Sequence, residues 1–223
     1  TDTMGNLYVC RGADRSGPRV MLTAHMDEVG LMVTHIEKEG VLRFAPVGGL
    51  DPRILPGRDV LVGRQQVPGV IGCKPIHLSS PEDRRRAHKL QDLYIDVGAA
   101  DKESAEKLVK PGDRVVFATR AETFGDGLFK GKALDNRVGC ALLVEALGMD
   151  CPFPLWGAFT VQEEVGLRGA RVAAYHLQPN LALVLEGTTC ADTPGTEEHE
   201  QSTRLGGGPA FSFMDATLLP NKT

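Results

Sequence analysis

The chain of 223 residues is 42% hydrophobic and 24% charged, an ordinary balance for a soluble globular protein with room for one large or two small domains. Its formal net charge of −4 and pI near 5.9 give no basic field for gripping a phosphate backbone, which argues against nucleic acid as a partner. No apolar run approaches the ~18–20 residues that span a bilayer, and residues 1–6 lack a signal peptide's basic and apolar regions, so the expectation is a cytoplasmic protein without a membrane partner.

Cys10, Cys73, Cys140, Cys151 and Cys190 are scattered, odd in number and free of any Cys-x-x-Cys pair. That pattern suits neither a disulfide framework nor a thiolate zinc site, and they read as reduced packing residues.

Residues 6–10 and 19–24 read as two strands joined by a Gly/Asp/Ser/Pro loop. The second runs into His25-Met26-Asp27-Glu28-Val29-Gly30, with an imidazole and a carboxylate two residues apart at a strand exit. Metal ligands often have this arrangement, because the carboxylate can receive the second ring N–H; a hydrogen-bonded histidine in a polar loop is the alternative. From Leu31 to Thr119 short β-rich runs alternate with Gly and Pro turns, the pattern of a small β-barrel. Its one helix is expected over 102–109, opened by Asp101 and closed by Pro111-Gly112. Residues 74–91, with Arg84-Arg85-Arg86, read as a polar, basic loop. The change of texture suggests an inserted β-barrel domain at 33–119, leaving 1–32 and 120–223 as one discontinuous catalytic domain.

A helix is expected over 139–147, with Asp135 just ahead of it as either a helix cap or a ligand. Residues 155–161 read as a strand and 167–175 as a helix, so Glu163 and Glu164 fall at the junction. Acids there are favoured by the helix dipole alone; the chemical alternative is one carboxylate on a metal and its neighbour moving protons. The apolar run 181–185 reads as a strand ending in Glu186, a loop acid or a further ligand.

The strand, helix, strand unit from 155 to 185 is long enough for a right-handed crossover, which makes its strands parallel and opens their carboxyl ends on one side. In open α/β sheets ligands bind on that side. His25, Asp27, Asp135, Glu163, Glu164 and Glu186 would meet there and repel unless cations neutralised them. Imidazole and carboxylate without thiolate suits a pair of divalent ions, zinc, cobalt or manganese, a known hydrolytic arrangement at ~3.5–4 Å separation.

Ala24-His25-Met26-Asp27-Glu28-Val29-Gly30, Lys132-Ala133-Leu134-Asp135-Asn136-Arg137, Gln162-Glu163-Glu164-Val165-Gly166 with Arg168-Gly169-Ala170, and Glu186-Gly187-Thr188 together resemble the M42 metallo-aminopeptidases, which include glutamyl aminopeptidases and proteins also labelled cellulase M or endoglucanase. The glucanase label carries little weight, since an acid pair for glycoside hydrolysis needs no histidine or metal. The resemblance implies an α/β fold of the phosphorylase/hydrolase type, a mixed sheet with helices on both faces as in zinc peptidases, plus an inserted small β-barrel. It further implies a homo-oligomer, often a dodecamer, acting on peptides with two divalent metal ions.

By the same resemblance Asp135 bridges the metals, His25 and Glu186 complete one site, and Glu164 serves the other. Glu163 is the general base, and Asp27 orients His25. Members commonly carry Asp where this chain has Glu186. The family's N-terminal helical segment and its C-terminal part with a further metal-binding histidine have no counterpart here, and His199 reads as a loop residue. The expected function is a dinuclear-metal aminopeptidase removing N-terminal residues from peptides. A metal-dependent amidohydrolase or deacylase, or a non-catalytic assembly subunit with an incomplete site, are the alternatives.

Overall fold

The computed structural model describes residues 1–212 and 214. β-branched and aromatic runs build a four-stranded sheet from β1 (Leu7–Arg11), β2 (Val20–His25), β11 (Leu155–Thr160) and β12 (Leu181–Val184). Its order is β1-β11-β2-β12; β11 and β12 both run parallel to β2, and β1 is antiparallel to β11. The first two strands therefore do not pair with each other, because β11 lies between them.

Alternation along β2 feeds two cores. Val20, Leu22 and Ala24 pack with Leu143 under α2 (Leu134–Gly148), while Met21 packs with Ala173 and Leu177 of α3 (Arg168–Leu177) on the other face. Helices thus cover both faces of a mixed sheet, as the family resemblance implies. The run 181–185 forms an edge strand, with Leu181 and Leu183 half exposed.

Six strands close a barrel in the order β3-β4-β7-β6-β5-β8: β3 (Gly30–Ile36), β4 (Leu42–Val47), β5 (Asp59–Val62), β6 (Val67–Cys73), β7 (Leu93–Asp96) and β8 (Arg114–Phe117). Closure removes the free edges, and inward-facing Leu31, Leu42, Val60, Ile71, Ile95 and Val115 fill its own core. The helix α1 (Lys102–Glu106) is shorter than the sequence predicts. Its last turn tightens, with the Leu108 N–H donating to Ala105 O at 2.9 Å, while Ala105 and Val109 still plug the barrel.

A hairpin of β9 (Glu122–Phe124) and β10 (Leu128–Lys130) follows, unforeseen because its strands are three residues long and exposed throughout, with no buried face to set a pattern. Its signal was the Gly125-Asp126-Gly127 turn, whose glycines take φ of 57° and 71°. Residues 74–91 contain neither strand nor α-helix, only one-turn 3-10 segments. No helix among the described residues is long and apolar enough to cross a membrane, and all five cysteines are free.

One buried side chain ties the sheet to the glutamate turn. Asn6, fully buried, accepts from the Val161 N–H at 3.0 Å and donates to the Gly169 carbonyl at 3.1 Å. Gly169 is needed at this junction, since a Cβ there would collide with the Val161 carbonyl and the Asn6 side chain. Asn6→Ala strands a part-buried donor and a buried acceptor, so it should cost about 2–4 kcal/mol in urea denaturation. A loss below about 1 kcal/mol would show that water replaces the amide.

Candidate metal centre at the carboxyl ends of the sheet

Three elements deliver the site. β2 ends in His25, whose side chain is only 2% exposed. The chain leaving β11 turns at Gln162, which takes a left-handed φ of 58°, and presents Glu163 and Glu164. Ala133 and Leu167, also left-handed at φ of 55° and 57°, flank Asp135 and close the glutamate turn. Such backbone costs of order 1–3 kcal/mol per residue and gathers where surrounding structure fixes a functional geometry. Three of the five non-glycine residues with left-handed φ among the described residues lie here, and Gln66 and Gln178 are the other two.

Around the single ring nitrogen His25 Nε2 stand Asp135 Oδ1 at 3.0 Å, Glu186 Oε1 at 3.3 Å and Glu163 Oε2 at 3.8 Å. One N–H cannot satisfy three carboxylates. His25, Asp135 and Glu164 also offer ligand atoms within 4.8 Å of one another. A buried imidazole with crowded carboxylates and no thiolate is the donor set of a divalent metal site, so the residues present fit the ions that the sequence implies.

Asp27 acts in two directions. Its carboxylate accepts from the backbone N–H groups of Glu163 and Glu164, both at 3.1 Å, and its backbone carbonyl lies 3.1 Å from His25 Nδ1. The carboxylate itself is 3.5 Å from that nitrogen. All six candidate residues therefore come together. His199 does not; it occupies a one-turn 3-10 helix, Glu198–Glu200, outside the cluster.

Two supports lay beyond sequence reasoning. Asn136, fully buried, donates to Leu185 O at 2.7 Å and accepts from the Gly139 N–H at 3.0 Å, lashing the Asp135 segment to the strand that carries Glu186. Lys132 forms a very short ion pair with Glu28, joining the segment before Asp135 to the one after His25. The Asn three residues before Gly139 was the only available signal for the first. The second had none.

Burial opposes a charged His25, but Glu186, Glu163 and Asp27 outweigh it and raise its pKa to about 9. Burial raises Asp135, with Glu186 adding to it; burial also raises Glu163 and Glu164, each reinforced by neighbouring acids. The raised imidazole contributes stability to the metal-free protein below its unfolded value near 6.5, and loses it as pH rises through about 9. A metal binding at pH 7 must therefore displace this proton. Calorimetry in buffers of different ionisation enthalpy should show proton release, with apparent affinity climbing until about pH 9. Buffer-independent enthalpies would contradict it.

A mixed sheet with helices on both faces, a closed barrel, and an imidazole–carboxylate cluster at the strand ends define an α/β protein of the zinc-peptidase type. The chain belongs to the M42 family: the family model described as M42 glutamyl aminopeptidase matches residues 5–223. Among solved structures, the TET aminopeptidase of the marine sediment archaeon Thaumarchaeota archaeon SCGC AB-539-E09 is 37% identical with a TM-score of 0.94, over 99% of this chain and 64% of that one. The Pyrococcus horikoshii TET1 peptidase, which can assemble into a tetrahedron or a large octahedral shell, is 40% identical with a TM-score of 0.77, over 88% of this chain and 61% of its own. The lysyl aminopeptidase of Pyrococcus furiosus is 34% identical over 94% of this chain and 61% of that protein. The chain thus spans less than two thirds of the length of these relatives.

Proposed function

We propose that the chain carries the metal centre of a dinuclear-metal aminopeptidase that removes N-terminal residues from peptides. The observation that carries this reading is the set of carboxylates crowded on His25 Nε2, with Glu164 in the same cluster. Asp135 would be shared by both ions, His25 and Glu186 would complete one site, and Glu164 would serve the other. When bound, divalent ions such as zinc, cobalt or manganese supply Lewis acidity, lowering the pKa of a water and polarising the scissile carbonyl.

The remaining chemistry falls to the chain. Glu163, its carboxyl already raised by burial, takes the proton of the attacking water and passes it to the departing amine. Asp27 holds the backbone of both glutamates and, through its carbonyl, sets the His25 ring.

We further assign 33–119 to an inserted barrel domain, with 1–32 and 120–223 forming the hydrolase unit. The barrel's separate core and the closed assembly of the P. horikoshii relative support a homo-oligomer built through it. Five unpaired cysteines support a cytoplasmic location.

A panel of aminoacyl-nitroanilides and their N-acetylated analogues, assayed with each of the three metals, tests the assignment. Turnover of the free-amine series alone is expected. Turnover of the acetylated series would make the protein a deacylase, and none in either would make it an assembly subunit.

A further inference from the structure

Asp135, the carboxylate read above as shared by both ions, is tied down on either side. On its carboxyl side Asn136 fastens the chain to Leu185, the neighbour of Glu186. On its amino side Lys132 pairs with Glu28, three residues beyond His25. The two ties therefore run to the two segments that carry the other ligands of one proposed ion, His25 and Glu186.

The anchor of the second tie is firm. Glu28 is only 19% exposed, and Val29 beside it is wedged between the barrel and the glutamate turn. A Cβ built on Gly48, which follows β4 with a φ of 86°, would lie 3.0 Å from Val29 Cγ1 and 3.2 Å from Glu164 Cβ. The Lys132 end has less around it. Residues 131–135 border a cleft of about 500 Å³, and between Lys132 and Asp135 the backbone passes through Ala133 at its left-handed φ of 55°. A strained segment at the edge of open space needs a tether, and a charge-assisted bond to a half-buried carboxylate supplies one.

We propose that Lys132 and Glu28 are positioning residues for the metal centre: their ion pair fixes the approach of the Asp135 carboxylate to His25, 3.0 Å apart, and metal affinity depends on the pair as a unit. The inference rests on the metal-centre reading above. Charge alone predicts a different pattern. Lys132 is a cation beside a site for cations, so its removal would strengthen metal binding; loss of the Glu28 charge would weaken it, and loss of both would cancel. A tether predicts the same loss from either substitution and no further loss from the two together, because the first already breaks the pair.

Cobalt titration of the full-length protein, followed by visible absorption, reads affinity without substrate or turnover. Lys132→Met and Glu28→Gln each keep the approximate shape of the side chain. Each should weaken cobalt binding by about 10-fold or more, the range seen when a partner that orients a metal ligand is lost. The double variant should bind no more weakly than the weaker single one. Melting in chelator separates a tether from a general support: a partly exposed ion pair contributes little to folding, so all three variants should melt within a few degrees of chelated wild type.

Lys132→Met that binds cobalt as tightly as wild type, or more tightly, overturns the inference. A double variant restored to wild-type affinity does the same, since that is how free charges behave. A large fall in melting temperature under chelation also overturns it, because the pair would then support the fold and not the site. With wild type binding cobalt, each of these results removes this inference and keeps the metal-centre reading. Wild type that binds no cobalt removes both.

Discussion

Glu163→Gln should reduce kcat by about 10²–10⁴-fold, the usual contribution of a positioned general base, while the protein keeps its metal. The amide preserves the shape of the side chain but cannot accept a proton from water. Glu163 suits this division of labour: its backbone is held by Asp27 Oδ1, its side chain is 28% exposed, and its carboxylate stands 3.8 Å from His25 Nε2. Single-turnover kinetics with elemental analysis of the same sample would decide the point. Metal lost along with activity would show that Glu163 is a ligand and that the base must be sought elsewhere, with Glu164 the first candidate.

The sequence made the site's chemistry legible because a strand's exit is a readable event. An apolar run of five or six residues ends, and the polar residue that follows must leave the sheet at its carboxyl edge. His25, the glutamate pair and Glu186 all follow such runs, and parallel pairing of β11 and β12 with β2 puts them on one side. Asp135 was legible as the residue ahead of a helix, although the structure gives it and Asn136 non-helical backbone inside the span of α2.

The supports were not legible, because each depends on a partner far away in the chain. Asn6 serves Val161 and Gly169, and Asn136 serves Leu185. Nothing in the residues around Asn6 distinguishes it from a turn residue. The left-handed backbone at Ala133, Gln162 and Leu167 was equally hidden, since glycine and asparagine are the residues that usually mark such positions. For the same reason the sequence could name the acids yet not the cleft beside Asp135 and Glu164, which Leu50 and Phe117 of the barrel and Lys132 ahead of α2 line together.

Asp135→Asn should abolish tight metal binding, and its signature separates it from a merely destabilised protein. The side chain keeps its shape and loses its charge at the position that His25 Nε2 approaches to 3.0 Å. Loss of an outer-shell partner weakens metal binding roughly 10–100-fold, so loss of a shared ligand should exceed that range. In the metal-free protein the effect on stability runs the other way. Burial and Glu186 raise the pKa of Asp135, which means the ionised form is disfavoured in the folded state despite the attraction of His25. This contribution favours folding below the unfolded value near 3.8 and turns into a loss as pH rises through the raised value, so wild type carries the penalty once Asp135 is ionised. Asparagine escapes that penalty, and the chelated variant should melt at or above chelated wild type at pH 7. Adding zinc or cobalt should then raise the melting temperature of wild type alone, because only a ligand bound by the folded state shifts the equilibrium. A variant that melts lower than wild type under chelation would assign Asp135 a structural role, and one that gains the same metal-induced shift would remove it from the metal site.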